Sequence, residues 1–178
     1  MDVEELQRHF EIRGKVTISS IVEKFPLITL KFGNNSSAQI TTYGAQILSW
    51  IDENKREQLF LGSRLIIEDG TAIRGGIPII FPQFGPGILP SHGFARNQEW
   101  TLTKSGVMNS GEPFVELVLT ESEKSLAIWP FRFRIVHRII LGQKLSSEIV
   151  ISNLSDTDLT AQFAFHSYFR VNSIHNIE

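Results

Sequence analysis

Five residues stand out as able to do chemistry without being obvious core or obvious solvent residues. Arg74, Gln83, His92 and Arg96 fall in one irregular stretch, "IRGGIPIIFPQFGPGILPSHGFARNQEW" (residues 73–100), and His166 stands in a later one, "LTAQFAFHSYF". The planar guanidinium fork suits phosphate or carboxylate. Imidazole hydrogen-bonds a hydroxyl or moves a proton near neutral pH. Gly75 and Gly76 permit positive φ or close approach to a ligand. Pro78, Pro82, Pro86 and Pro90, four of the chain's seven prolines, stiffen the path. The stretch therefore reads as an ordered loop of fixed shape. On composition alone two readings are open. The arginines are anion anchors with His92 at their side, or they are surface charges beside a satisfied loop histidine. For His166, Leu159, Ala161, Phe163 and Phe165 alternate with Thr160, Gln162, Ala164 and His166. The first set is expected to face a core, which leaves His166 on the small and polar face. It either opens on a cleft or pairs across strands.

The other polar patterns read as structural. In "FRFRIVHR", Arg132, Arg134 and Arg138 share one strand face and His137 takes the other; a solvated basic face blunting a sheet edge is the expectation. Glu116, Glu121, Glu123, Asp156 and Asp158 form no evident acid/base pair, and the histidines lack metal-ligand spacing. There is no phosphate-binding P-loop, no dinucleotide fingerprint and no nucleophile elbow. The chain has no cysteine, which excludes disulfides and thiolate chemistry. Its net charge of −2 gives no global field for nucleic acid, and one "RGG" is not a repeat. No apolar run approaches the roughly 18 residues of a membrane span. The acidic N-terminus "MDVEELQRHF" resembles neither a signal nor a transit peptide, so a cytoplasmic protein with no nucleic-acid or membrane partner is expected.

The elements that must position these residues read as strands. "PLITLKF" puts Ile28, Leu30 and Phe32 on one face. "AQITTYGAQILSWI" is two strands broken at Gly44. "EQLFLG", "PFVELVLT", "FRFRIVHRIIL", "KLSSEIVISN" and "LTAQFAFHSYFR" follow, separated by turn-like "NSGEP", "LGQ" and "NLSDTD". Many short strands with no long helical pattern predict an all-β fold, an antiparallel β-sandwich. The 178 residues suit a single domain, 1–178. Residues 1–12 read as a short helix capped by Asp2, or as a tail.

"AIRGGIPIIFPQFG", "HGFARNQEW" and "FAFHSYFRV", in that order, resemble the hexose-6-phosphate mutarotase (glucose-6-phosphate 1-epimerase) branch of the aldose 1-epimerase, or galactose-mutarotase-like, family. "ITTYGAQILSW" resembles an early strand of that family. The resemblance runs from about Pro26 to the last residue. It implies a large antiparallel β-sandwich with a sugar site in a cleft on one sheet. It also implies the interconversion of α and β anomers of a hexose 6-phosphate without cofactor or metal. By the same resemblance His166 is the general acid, Arg74 and Arg96 hold the phosphate, and His92 and Gln83 contact the substrate. The family's glutamate base and a preceding aspartate lie beyond the "HSYF" block. Glu178 comes too early to match that glutamate. The chain therefore reads as the N-terminal part of a family member, incomplete at the C-terminus, with uncovered edges and apolar faces expected. Two further readings follow: a non-catalytic sugar-phosphate-binding module, and a neutral-sugar aldose 1-epimerase, against which the two arginines speak. The sequence is silent on oligomeric state.

Overall fold

The computed structural model describes residues 1–22, 25–62, 67–173 and 175. Glu178 lies outside them. A short helix, α1 (Val3–Phe10), precedes the strands. Asp2 caps it by accepting the Glu5 N–H at 2.8 Å, an arrangement that satisfies one free donor of the first turn. Leu6 is buried, Val3 and Phe10 pack against the core, and Gln7 donates to the Ile18 carbonyl at 2.7 Å.

Strands β1 (Val16–Val22), β2 (Phe25–Phe32), β3 (Ser36–Thr41) and β4 (Ile47–Ile51) form a four-stranded sheet in chain order. Every pairing in it is antiparallel. A two-residue strand, β5 (Ile79–Ile80), follows inside the irregular stretch. Strands β6 (Thr101–Val107), β7 (Pro113–Thr120), β8 (Phe133–Leu141) and β9 (Leu145–Asn153) make the second sheet, also antiparallel and in chain order. A one-and-a-half-turn helix, α2 (Glu123–Ile128), links β7 to β8. Finally β10 (Ala164–Phe165) pairs antiparallel with β5.

The two larger sheets face each other through β2, β3, β7 and β8. Alternation decides which side chains lie between them. Ile28 and Leu30 of β2, Val115, Leu117 and Leu119 of β7, and Phe133, Ile135 and Ile139 of β8 join one buried cluster. This is the antiparallel sandwich expected from the strand pattern.

Three local expectations are corrected. "EQLFLG" is not a strand. Glu57, Leu59 and Leu61 bridge to Ile51, Phe169 and Gly75 in turn, and a partner that changes every second residue cannot extend a ladder. "LTAQFAFHSYFR" does not bury one whole face. Ala161 and Phe163 are exposed, and only Leu159 and Phe165 pack on the core, because the stretch lies against the narrow β5. Its regular strand is two residues long because the partner has Pro78 and Pro82, which lack a donor, on either side of β5. Last, the basic face of "FRFRIVHR" does not blunt an edge, since β8 is paired on both sides by β7 and β9. Two of its arginines lie near carboxylates. Arg138 lies 3.7 Å from Glu116 and Arg132 3.0 Å from Glu121.

His137, on the inward face of β8, is fully buried. Its Nδ1 lies 3.1 Å from the Ala45 carbonyl and its Nε2 2.7 Å from Ser147 Oγ. A carbonyl only accepts, so Nδ1 carries the proton and Nε2 accepts from the serine hydroxyl. Burial pushes the pKa down to about 3. In the unfolded chain the ring titrates near the ordinary value of about 6.5. Between these values the unfolded state binds the extra proton, so stability rises with pH and levels off above about 6.5. We expect the unfolding free energy from urea denaturation to fall by up to about 1.4 kcal/mol per unit as pH drops from 6.5 to 5. His137→Gln, which keeps a donor and an acceptor but does not titrate, flattens most of that slope. An equally steep slope in the variant contradicts this account.

Candidate active site

The segments 76–82 and 162–168 run side by side in one antiparallel register. Gln162 N–H donates to the Pro82 carbonyl at 2.8 Å, β10 pairs with β5, His166 N–H donates to Pro78 at 3.0 Å, and Tyr168 N–H donates to Gly76 at 2.9 Å. This pairing places His166 beside the irregular stretch.

The stretch is anchored beneath by aromatic packing. Phe81 meets Trp129 edge to face at 5.4 Å and Phe133 at 5.5 Å, and Phe94 lies 6.0 Å from Phe133. Each such pair contributes roughly 0.5–1.5 kcal/mol beyond its buried area. Glycines let the backbone fold this closely. At Gly76 (φ +63) a Cβ would meet Ile47 O at 2.2 Å, and at Gly93 (φ +68) it would meet Phe81 O at 2.0 Å. The Phe81 carbonyl accepts from both Phe94 N–H and Ala95 N–H, at 2.9 and 3.2 Å, which seats the short 3-10 turn Ala95–Asn97 that carries Arg96.

Arg74, His92, Arg96 and His166 converge on a cleft of about 150 Å³, together with Tyr168 and Pro78. No carboxylate stands among its described lining residues. A larger hollow of about 470 Å³ beside Pro82, Leu89 and Trp129 has no titratable lining.

Gln83 does not join them. Its amide turns back into its own loop, donating to Gly85 O at 3.1 Å and Leu89 O at 2.9 Å and accepting from Leu89 N–H at 3.0 Å. It braces the turn that carries Phe84. Tyr168 and Phe84 were not singled out from sequence. The available signal for Tyr168 was its position two residues after His166 in an extended segment, which puts both on one face.

Arg96 spends one Nη2 donor on the Ser91 carbonyl at 3.0 Å. Its buried Nε has no hydrogen-bond partner. Burial lowers its pKa from the ordinary guanidinium value; Tyr168 opposes the effect and the like charge of Arg74 adds to it. Two cations and an unmatched buried donor favour an anion between them.

His92 takes a left-handed backbone (φ 67), and its Nδ1 accepts the Gly85 N–H at 3.2 Å. Burial, then the charges of Arg96 and His166, lower its pKa. The neutral ring has its proton on Nε2, so His92 offers a hydrogen-bond donor. The His166 ring lies 5.6 Å from that of His92 and 5.0 Å from that of Tyr168. Chemically, the cleft can hold an anion, donate to an oxygen, and exchange a proton through His166.

Residues 26–178 match the sequence profile of the family described as aldose 1-epimerase. The chain is 39% identical over 159 residues to a Cenchrus ciliaris protein provisionally named a glucose-6-phosphate 1-epimerase, covering 84% of this chain and 48% of that one. The corresponding Escherichia coli protein, provisionally given the same name, is 36% identical over 140 residues, with 77% and 46% covered. In three dimensions the chain is similar to the crystal structure of YeaD from Salmonella typhimurium, provisionally called a mutarotase. The TM-score is 0.80 at 29% identity, over 91% of this chain and 54% of that one. A galactose mutarotase-like protein from Clostridium acetobutylicum shares the fold at a TM-score of 0.71 and 17% identity, with 86% and 53% covered. The chain spans about half the length of these relatives.

Replacing Gly76 by Ala should lower the urea midpoint, at a cost of roughly 1–3 kcal/mol for a side chain forced into a left-handed, blocked position. An unchanged midpoint would show that this backbone is free to shift.

Proposed function

The chain belongs to the aldose 1-epimerase family, and from that premise we propose that its cleft serves the interconversion of α and β anomers of a hexose 6-phosphate. Glucose 6-phosphate is the substrate carried in the names of the relatives. The observation that carries this reading is the convergence of Arg74, Arg96, His92 and His166 on one small cleft. Arg74 and Arg96 hold the 6-phosphate, away from the reacting carbon, and so orient the sugar. His92 donates its Nε2–H to a sugar oxygen. His166 is the general acid.

The reaction needs an acid and a base on the hemiacetal and no redox step. A base takes the proton from the O1 hydroxyl while His166 protonates the ring oxygen. The C1–O5 bond breaks and C1 becomes an aldehyde. Rotation about C1–C2 presents the other face, and closure returns both protons by the reverse path. The resemblance implies a glutamate base late in the family's sequence, and among the described residues no carboxylate lines the cleft. That observation favours a second reading, in which these residues form a sugar-phosphate-binding module that does not turn over. In either reading the protein works in the cytoplasm, where phosphorylated sugars are kept. Among the described residues no helix is long and apolar enough to cross a membrane.

Anomer exchange of glucose 6-phosphate and of glucose, followed by NMR magnetisation transfer, separates the readings. Removing a general acid costs about 10²–10⁴-fold, so His166→Ala should abolish most of the acceleration, and an intact rate refutes the acid role. Arg96→Ala should weaken glucose 6-phosphate about ten- to over a hundredfold, as for a charge-assisted contact of about 1.5–3 kcal/mol, and leave glucose unaffected. Equal loss for both sugars refutes the phosphate role. Binding of glucose 6-phosphate without faster exchange establishes the module.

A further inference from the structure

The His166 imidazole has no hydrogen bond to either ring nitrogen among the described residues. Protein histidines that move protons are commonly oriented by such a bond at the nitrogen opposite the reacting one. Here three rings surround the imidazole instead. Tyr168 lies nearly parallel to it, 29° at 5.0 Å. Phe84 is closer to parallel, 18° at 6.5 Å. His92 meets it near a right angle, 75° at 5.6 Å. Aromatic pairs prefer such offset-stacked or edge-on arrangements at centroid distances of about 4.5–7 Å.

The backbone that carries each of the two stacked rings is hydrogen-bonded. The Tyr168 N–H donates to the Gly76 carbonyl at 2.9 Å, and its own carbonyl accepts from Phe60 N–H at 2.8 Å. The Phe84 N–H donates to Gln162 Oε1 at 2.7 Å, and Gln83 braces the same loop from within. The Phe84 ring also lies 5.1 Å from that of His92, at 77°. A ring stacked against the imidazole leaves both of its nitrogens free in the ring plane. Among the described residues neither nitrogen has a hydrogen-bond partner.

We propose that Tyr168 is a positioning residue for His166: its ring, stacked on the imidazole, restrains it so that an in-plane nitrogen is aimed at the sugar. The inference rests on the reading of His166 as the acid. It assigns the role to the aromatic face of Tyr168. The hydroxyl is not what holds the imidazole.

Tyr168→Phe keeps the face and removes the hydroxyl, whereas Tyr168→Leu removes the face. In proton NMR of the 178-residue chain, the His166 ring protons (assigned by their loss in His166→Ala) should be shifted upfield by ring currents. They should stay so in Tyr168→Phe and move downfield in Tyr168→Leu. In glucose 6-phosphate anomer exchange, Tyr168→Leu should lower kcat about 100-fold, the size expected of a misplaced catalytic group. Its KM should be little changed, and Tyr168→Phe should remain within a few-fold of the parent. The proposal is overturned if Tyr168→Leu leaves the ring protons or kcat unchanged, or if Tyr168→Phe loses as much as Tyr168→Leu. If the parent chain binds glucose 6-phosphate but shows no exchange, the binding-module reading stands, and the NMR comparison still decides whether Tyr168 holds the ring.

Discussion

Main-chain pairing between residues 76–82 and 162–168 is the constraint on which the cleft depends. The two sandwich sheets are built from neighbouring hairpins, each strand beside the next in sequence. Such an arrangement brings no distant residues together by itself. The strand pairing that does so beside the cleft is β5 with β10, extended at both ends by carbonyls of Gly76, Pro78 and Pro82 and followed by the bridge of Leu59 to Phe169. It sets His166 opposite Pro78, and therefore next to the loop that carries Arg74, His92 and Arg96. The sheets supply the surface, and Phe81 and Phe94 fasten the loop to it through Trp129 and Phe133.

The electrostatics of the site follow from what the packing leaves out. Over the whole chain acidic residues slightly exceed basic ones. Inside the cleft the balance is reversed, because among the described residues the lining has two arginines and two histidines and no carboxylate. Elsewhere the arginines of the β7–β8 region meet Glu116 and Glu121 and gain little that a ligand could replace. The cleft cations repel one another instead, and His92 responds by staying neutral. A small, partly enclosed site of this kind favours an anion over a neutral molecule of the same shape, because only the anion relieves the repulsion.

Much of this was legible in the sequence where periodicity and side-chain type agree. The alternation in β2, β7 and β8 places their inward residues, and the Gly- and Pro-rich stretch is the ordered loop its composition indicates. Arg74, His92, Arg96 and His166 were found by type, spacing and resemblance, and they do share a cleft. The failures have a common physical origin. "EQLFLG" alternates like a strand, but its partners change from residue to residue, and sequence pattern does not encode partners. Gln83 looks like a ligand contact, but its amide is used up by backbone groups two and six residues away. The face contact of Tyr168 with His166 was hidden because an aromatic at that spacing is equally suited to core packing. The fourth misreading, β8 as an edge, came from taking a stripe of arginines as the mark of an unpaired strand, when β8 lies between β7 and β9.

The Phe84–Gln162 bond spans 78 residues, whereas the β2–β3 turn closes between Phe32 and Ser36. On a logarithmic loop-closure law, joining the walls of the cleft costs about 2.5 kcal/mol more chain entropy than closing such a hairpin. The cleft is thus held shut by contacts that only a fully folded chain can make. Any ligand that bridges Arg96 on one wall and His166 on the other binds the closed arrangement alone. By mass action it returns its binding free energy to that seam.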